Sequence, residues 1–121
     1  MKNQIHSKIE IVAIDEVECN LDQIKNNCFT KSELFELENK HIQTLAGLYV
    51  LKIALKKLIN EQNTNQTISE KQIILKHNPH GAPCISKVNS FLYDDYKQIH
   101  ISISHTSKNV YGFASVMESK K

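Results

Sequence analysis

The apolar positions along the chain separate into strand-like and helix-like runs. Lys8-Ile9-Glu10-Ile11-Val12-Ala13-Ile14-Asp15 is β-branched and apolar and predicts a strand ending at Asp15. A polar stretch follows, with a short amphipathic spacing at Leu21, Ile24, Cys28 and Phe29. Thr30-Lys31-Ser32-Glu33 has the form of a capping box and predicts a helix running to about Glu38. From about His41 to Ile59 there is neither Pro nor a turn cluster, and Leu45–Leu55 is interrupted only by Gly47 and Lys52. So many apolar residues exceed a single stripe, which predicts a long helix buried on most sides. At about 1.5 Å per residue such a helix spans roughly 30 Å, the width of a small domain.

Beyond a polar loop at Asn60–Thr67 the pattern becomes that of sheet. Lys71–Lys76 reads as a strand, Asn78–Pro83 as a turn and Cys84–Ser86 as the start of a return strand. Ser90–Tyr96 can hold a short helix. Gln98–Ser104 alternates Ile99, Ile101 and Ile103 with His100, Ser102 and Ser104, the period-two signal of a half-buried strand. Val110–Met117 completes an antiparallel hairpin through Thr106–Asn109. The expected fold class is α+β, a mostly antiparallel sheet packed on one long helix.

Length and composition narrow the class. With 121 residues, 40% hydrophobic and 23% charged, the chain reads as a single globular domain over residues 1–121. No apolar run approaches the roughly 18–20 residues of a membrane span, and the N-terminus lacks the apolar core of a signal peptide, so a cytoplasmic protein without a membrane association is expected. Fifteen basic residues against thirteen acidic ones give a net charge of +2, too balanced to predict nucleic-acid binding. All the basic residues are Lys. Any bound anion is therefore met by ammonium groups, backbone N–H groups or His, and never by a guanidinium fork. Cys19, Cys28 and Cys84 form no CxxC and are odd in number, as expected of reduced packing residues.

Four features could carry chemistry: Asp15 at a strand end, the Leu45–Lys57 segment with Lys52 and Lys57, Gly81-Ala82-Pro83 in a turn, and Ser102-Ile103-Ser104-His105-Thr106 where a strand runs out. Singly, each has an ordinary structural reading as a turn former, a snorkelling lysine or a backbone-satisfied histidine. His77-x-x-His80 with Cys84 has zinc-like spacing but no evident fourth ligand, and is set aside.

Their order and spacing together resemble the small, single-domain holo-acyl-carrier-protein synthases of the 4′-phosphopantetheinyl transferase superfamily. The strand ending in Asp appears as Ala13-Ile14-Asp15, and the "FT-x-x-E" helix start as Phe29-Thr30-Lys31-Ser32-Glu33. "LAGR-aromatic-x-x-KEA-x-x-K" appears as Leu45 to Lys57, "N-G-x-P" as His80-Gly81-Ala82-Pro83, and "S-I-S-H-T" as Ser102 to Thr106. The resemblance runs in order from about Ile9 to Val116. It implies Mg²⁺-dependent transfer of the phosphopantetheine arm of coenzyme A to a serine of an acyl carrier protein, releasing 3′,5′-ADP. Carried over by position, Asp15, Lys57 and His105 are the implied catalytic residues, with Asp15 the metal ligand. Lys52, Lys57, Gly81, Pro83, Ser104 and His105 are the implied coenzyme A contacts. The resemblance also implies a homo-oligomer, a trimer with its site between subunits.

Two departures qualify this. The Glu of "KEA", a metal ligand in the family, is Ile53, which offers a hard cation no oxygen. The position two after Asp15 is Val17, and in an extended segment Glu16 and Glu18 would point away from the side Asp15 uses. The Arg of "LAGR" is Leu48, and the helix that docks the acidic carrier carries one Lys and one Asp in Asn20–Lys25. The alternative readings are a non-catalytic homologue acting as a binding or structural subunit, and a coenzyme A binder without transfer chemistry.

Overall fold

A computed structural model describes residues 4–62, 67–88 and 99–118. The short helix expected over Ser90–Tyr96 lies outside the described residues. Strand β1 (Gln4–Ala13) leads into helices α1 (Ile14–Cys19), α2 (Leu21–Cys28), α3 (Lys31–Leu37) and α4 (Ile42–Gln62). A 3-10 turn (Glu70–Gln72) then enters strands β2 (Ile73–His77), β3 (Pro83–Val88), β4 (Ile99–His105) and β5 (Asn109–Glu118). The α+β class holds, and the sheet is entirely antiparallel among the described residues. It is split into a three-stranded sheet, β1-β5-β4, and a separate β2-β3 hairpin.

The first strand ends earlier than its sequence suggests. Ile14 donates its N–H to Lys108 O (2.8 Å) in the β4–β5 turn, and the chain there turns into α1. Asp15 and Glu16 occupy the first helical turn, where the exposed N–H groups favour carboxylates. Asp15 is thus a helix residue and not the end of a strand. The extended-chain argument about Glu16 and Glu18 is corrected with it: one turn apart on a helix, Asp15 and Glu18 share a face.

The capping box at α3 forms as its residues dictate. Glu33 N–H donates to Thr30 Oγ1 (3.3 Å), and Thr30 N–H donates to Glu33 Oε1 (2.9 Å). Helix α4 begins one residue later and ends three residues later than its apolar pattern marks, because Asn60 is held inside it. The Asn60 side chain accepts from Ile68 N–H (2.8 Å) and donates to Ile68 O (3.2 Å), pinning the returning chain.

Helix α4 crosses the three-stranded sheet diagonally. A Cβ on Gly112 of β5 would stand 2.9 Å from backbone atoms of Val50 and Leu51, and one on Gly47 would meet the Ile103 side chain of β4 at 2.9 Å. Further on, Lys57 pairs with Glu10 and Glu61 with Lys8, both on β1. Leu51, Ala54 and Leu58, on the helix side shared with Gly47, are buried, as are Val110, Ala114 and Val116 of β5. The opposite sheet face carries Ile5, Ile9 and Ile11 at 69%, 63% and 59% exposure, with Tyr111 and Phe113 beside them in register.

Candidate functional site

Asp15 and His105 arrive at the same end of the main sheet by strand register. Val12 pairs with Val110, and Val110 pairs with His105, so these three residues form the last rung across β1, β5 and β4. Ala13 pairs with Asn109, and Ile14 is tied to Lys108, which sets Asp15 beside the β4–β5 hairpin that follows His105. That hairpin is rigidified locally: Thr106 Oγ1 accepts from the N–H groups of Lys108 (3.2 Å) and Asn109 (3.0 Å), and Thr106 N–H donates to Asn109 O (2.9 Å). Asp15, Ser104 and His105 are all exposed to solvent.

Lys57 stands apart from them. Its ammonium donates to Glu10 Oε1 (2.9 Å), two rungs further into the sheet than Val12. Ile53, one turn before Lys57 on α4, is half-buried. Gly81 and Pro83 belong to the β2–β3 hairpin. Gly81 has φ +86°, the left-handed region that favours glycine, and a Cβ there would meet nothing within 4 Å. Its N–H donates to Asn78 O (2.9 Å), and Asn78 Oδ1 accepts from His80 and Ala82 N–H. This tip forms no wall around Asp15 within one chain.

Lys52 lies in the core. It is fully buried, and its three N–H donors are all engaged, by Glu33 Oε1 (2.6 Å), Cys28 O (2.8 Å) and Glu70 O (3.3 Å). Its ammonium also lies 4.5 Å from the centre of the Phe29 ring, a cation–π contact. Burial pushes the Lys52 pKa down, and the hydrogen bond and charge of Glu33 pull against it. No donor is left for a phosphate. The buried partner is the capping-box carboxylate, whose Oε2 also accepts from Leu75 N–H (2.8 Å). The sequence marks Glu33 only as a cap; its second task appears when α4 and β2 close over it.

A hollow of about 300 Å³ opens beside α1, between α2 and α4, and was not foreseen. It is lined by Val12, Glu16, Asn20, Gln23, Asn27 and Tyr49 among others, with no Lys or His in its wall. Burial raises the Tyr49 phenol and the Cys28 thiol at its base. With one carboxylate and no cation in its wall, this hollow is a poor seat for a diphosphate, and neither His105 nor Lys57 lines it.

Among the described residues, no three His, Cys, Asp or Glu side chains are grouped to hold a metal ion. Asp15 with Ile53 as the nearest family position does not make a resident Mg²⁺ cage. A lone exposed carboxylate does suit an Mg²⁺ that arrives on substrate phosphates, since this ion commonly takes one or two carboxylates and fills its shell with phosphate and water. No helix among the described residues is long and apolar enough to cross a membrane.

No model of a known protein family matches the chain, and no curated protein matches it in sequence. Solved structures match its fold closely. A holo-(acyl-carrier-protein) synthase from Bacillus anthracis in complex with CoA (3′,5′-ADP) superposes with a TM-score of 0.75 at 19% identity, covering 93% of this chain and 96% of that one. The Helicobacter pylori holo-[acyl-carrier-protein] synthase in complex with coenzyme A gives 0.74 at 23% identity, covering 93% and 100%. Mycobacterium tuberculosis acyl carrier protein synthase gives 0.72 at 19%, covering 94% and 96%. The fold is therefore that of the holo-acyl-carrier-protein synthases over almost the whole chain.

Proposed function

We propose that this chain is a phosphopantetheinyl transferase of the holo-acyl-carrier-protein synthase kind, acting on coenzyme A and an acyl carrier protein. The observation that carries this reading is the register that sets Asp15 and His105 at one end of a sheet whose fold is shared with coenzyme A-bound synthases. The carrier serine oxygen forms a bond to the phosphorus next to the pantetheine and gives up its proton to solvent water, the bond from that phosphorus to the bridging oxygen breaks, and 3′,5′-ADP leaves with the electron pair of that bond. His105 and Lys57 meet the phosphates, Ser104 stands beside His105, and Asp15 holds the metal. Mg²⁺, when bound, neutralises charge on the departing oxygen.

The site is completed by a neighbouring copy. The solvent-facing isoleucines of β1 supply the surface for association, and Gly81 and Pro83 of one copy wall the nucleotide of another. A trimer fits the resemblance. Light scattering should find it, and Ile9→Asp with Ile11→Asp should yield monomers without coenzyme A binding. The carrier docks against an unfavourable charge balance: α1 and α2 carry Asp15, Glu16, Glu18 and Asp22 against Lys25, so added salt should raise the transfer rate by screening the repulsion from an acidic carrier.

Calorimetry with coenzyme A, with and without Mg²⁺, tests the reading together with the mass of a carrier-protein panel after incubation. Metal-dependent binding with a phosphopantetheine mass gain supports transfer. Ile53 favours a second reading, a homologue that has lost transfer: metal-independent binding without mass gain marks a coenzyme A binder, and no binding marks a structural subunit. Ile53→Glu should raise Mg²⁺ affinity, and an unchanged titration refutes the placement of Asp15 opposite that helix position.

A further inference from the structure

A second hollow, of about 330 Å³, lies on the far side of α2 from the first, where α2, α3 and the start of α4 meet. Its walls are Leu21, Leu34, Leu37, Ile42 and Leu45. Leu37 and Leu45 are buried at its base, and the other three are half-buried around them. Two ammonium groups, Lys25 and Lys40, stand at the rim with His41 and one carboxylate, Glu38. Neither Lys25 nor Lys40 has an ion-pair partner among the described residues, in contrast to Lys8, Lys52, Lys56 and Lys57.

These two hollows thus differ in sign. One has carboxamides and Glu16 in its wall. The other has an aliphatic floor with unpaired ammonium groups at its mouth, the arrangement of an apolar pocket with a few polar groups that fix orientation. If a methylene takes about the volume of a water, about 30 Å³, the hollow holds a chain of roughly ten carbons.

We infer that this groove binds a medium-chain fatty carboxylate, its alkyl chain on Leu37 and Leu45 and its head group between Lys25 and Lys40. The site does not rest on the transferase reading and shares with it only Lys25, on the carrier-docking helix α2.

Decanoate, below the concentration at which it forms micelles, is titrated into the full-length protein and followed by calorimetry and amide chemical shifts. Saturable one-to-one binding is expected, with shifts confined to residues 21–25 and 34–45. Each methylene removed should weaken binding about fourfold, so octanoate should bind more than tenfold more weakly. Lys25→Glu with Lys40→Glu, both at the rim and outside the core, should weaken decanoate at least tenfold and admit decyltrimethylammonium, which the native protein rejects. Asp15→Asn should leave decanoate binding unchanged, which separates this test from that of the transferase reading. Absence of saturable binding, equal affinity for the cationic amphiphile, or binding only to anionic phospholipid vesicles would overturn the assignment.

Discussion

Replacing Lys52 by Met tests whether this lysine belongs to the core or to a ligand. The substitution keeps the volume of the side chain and removes an ammonium that donates to Glu33, Cys28 O and Glu70 O with no exposure to water. Glu33 is then left as a buried carboxylate held by the Thr30 N–H and hydroxyl and the Leu75 N–H, while two backbone carbonyls lose a donor. Breaking a buried pair from one side costs about 3–5 kcal/mol. A domain of this size has about 5–15 kcal/mol in total, so the loss is a large share of its stability. With a urea m-value of about 1–3 kcal/mol/M, the unfolding midpoint should fall by roughly 2 M. Adding Glu33→Gln removes the orphaned charge, and the double variant should recover about 0.5–3 kcal/mol relative to the sum of the single changes. Equilibrium urea unfolding followed by far-UV circular dichroism measures all three. A Lys52→Met protein within 1 kcal/mol of the native one, or strict additivity with Glu33→Gln, refutes the reasoning. Native stability with lost coenzyme A binding would return Lys52 to the ligand.

Three further outcomes follow from the packing. Gly112→Ala should cost about 1–3 kcal/mol, because its Cβ meets α4 backbone that cannot yield, whereas Gly47→Ala meets the Ile103 Cγ2 methyl and should cost less, since up to about 1 kcal/mol of helix propensity offsets that contact; thermal unfolding of the pair checks the order. Thr30→Ala should lose about 0.5–2 kcal/mol in the same assay through the α3 cap. With a thiol reagent at neutral pH, exposed Cys19 should be modified far sooner than buried Cys28, as read by peptide mass. Burial raises the Cys28 pKa above its ordinary 9.0, so the unfolded chain releases that proton first as pH rises. Its contribution is intact below pH 9.0 and is lost as pH climbs from there towards the folded-state pKa, and Cys28→Ala should flatten this part of the stability–pH curve.

Local signals carried most of the fold. The Thr30–Glu33 cap, the unbroken apolar run of α4 and the alternation of Ile99, Ile101 and Ile103 each state their element through nearest neighbours alone, and each forms. The end of β1 was not legible, because Ile14 turns into a helix by bonding to Lys108, a partner far along the chain. The burial of Lys52 is not legible for a related reason. Its spacing fits a snorkelling or ligand-facing lysine, and only the closure of α3, α4 and the Glu70 turn over it reveals a buried ammonium. The partnership of Lys57 with Glu10 left a trace that sequence reading passed over: Lys8 and Glu10 alternate on one strand face while Lys57 and Glu61 stand one helical turn apart with opposite signs.

That partnership sets the terms on which any anion reaches Lys57. The ammonium is already neutralised by Glu10, so an incoming phosphate exchanges with a tethered carboxylate instead of shedding bulk water and salt ions. Affinity at this spot is a contest between two anions, one of them permanently at hand, and Glu10→Gln would open the position to weaker competitors.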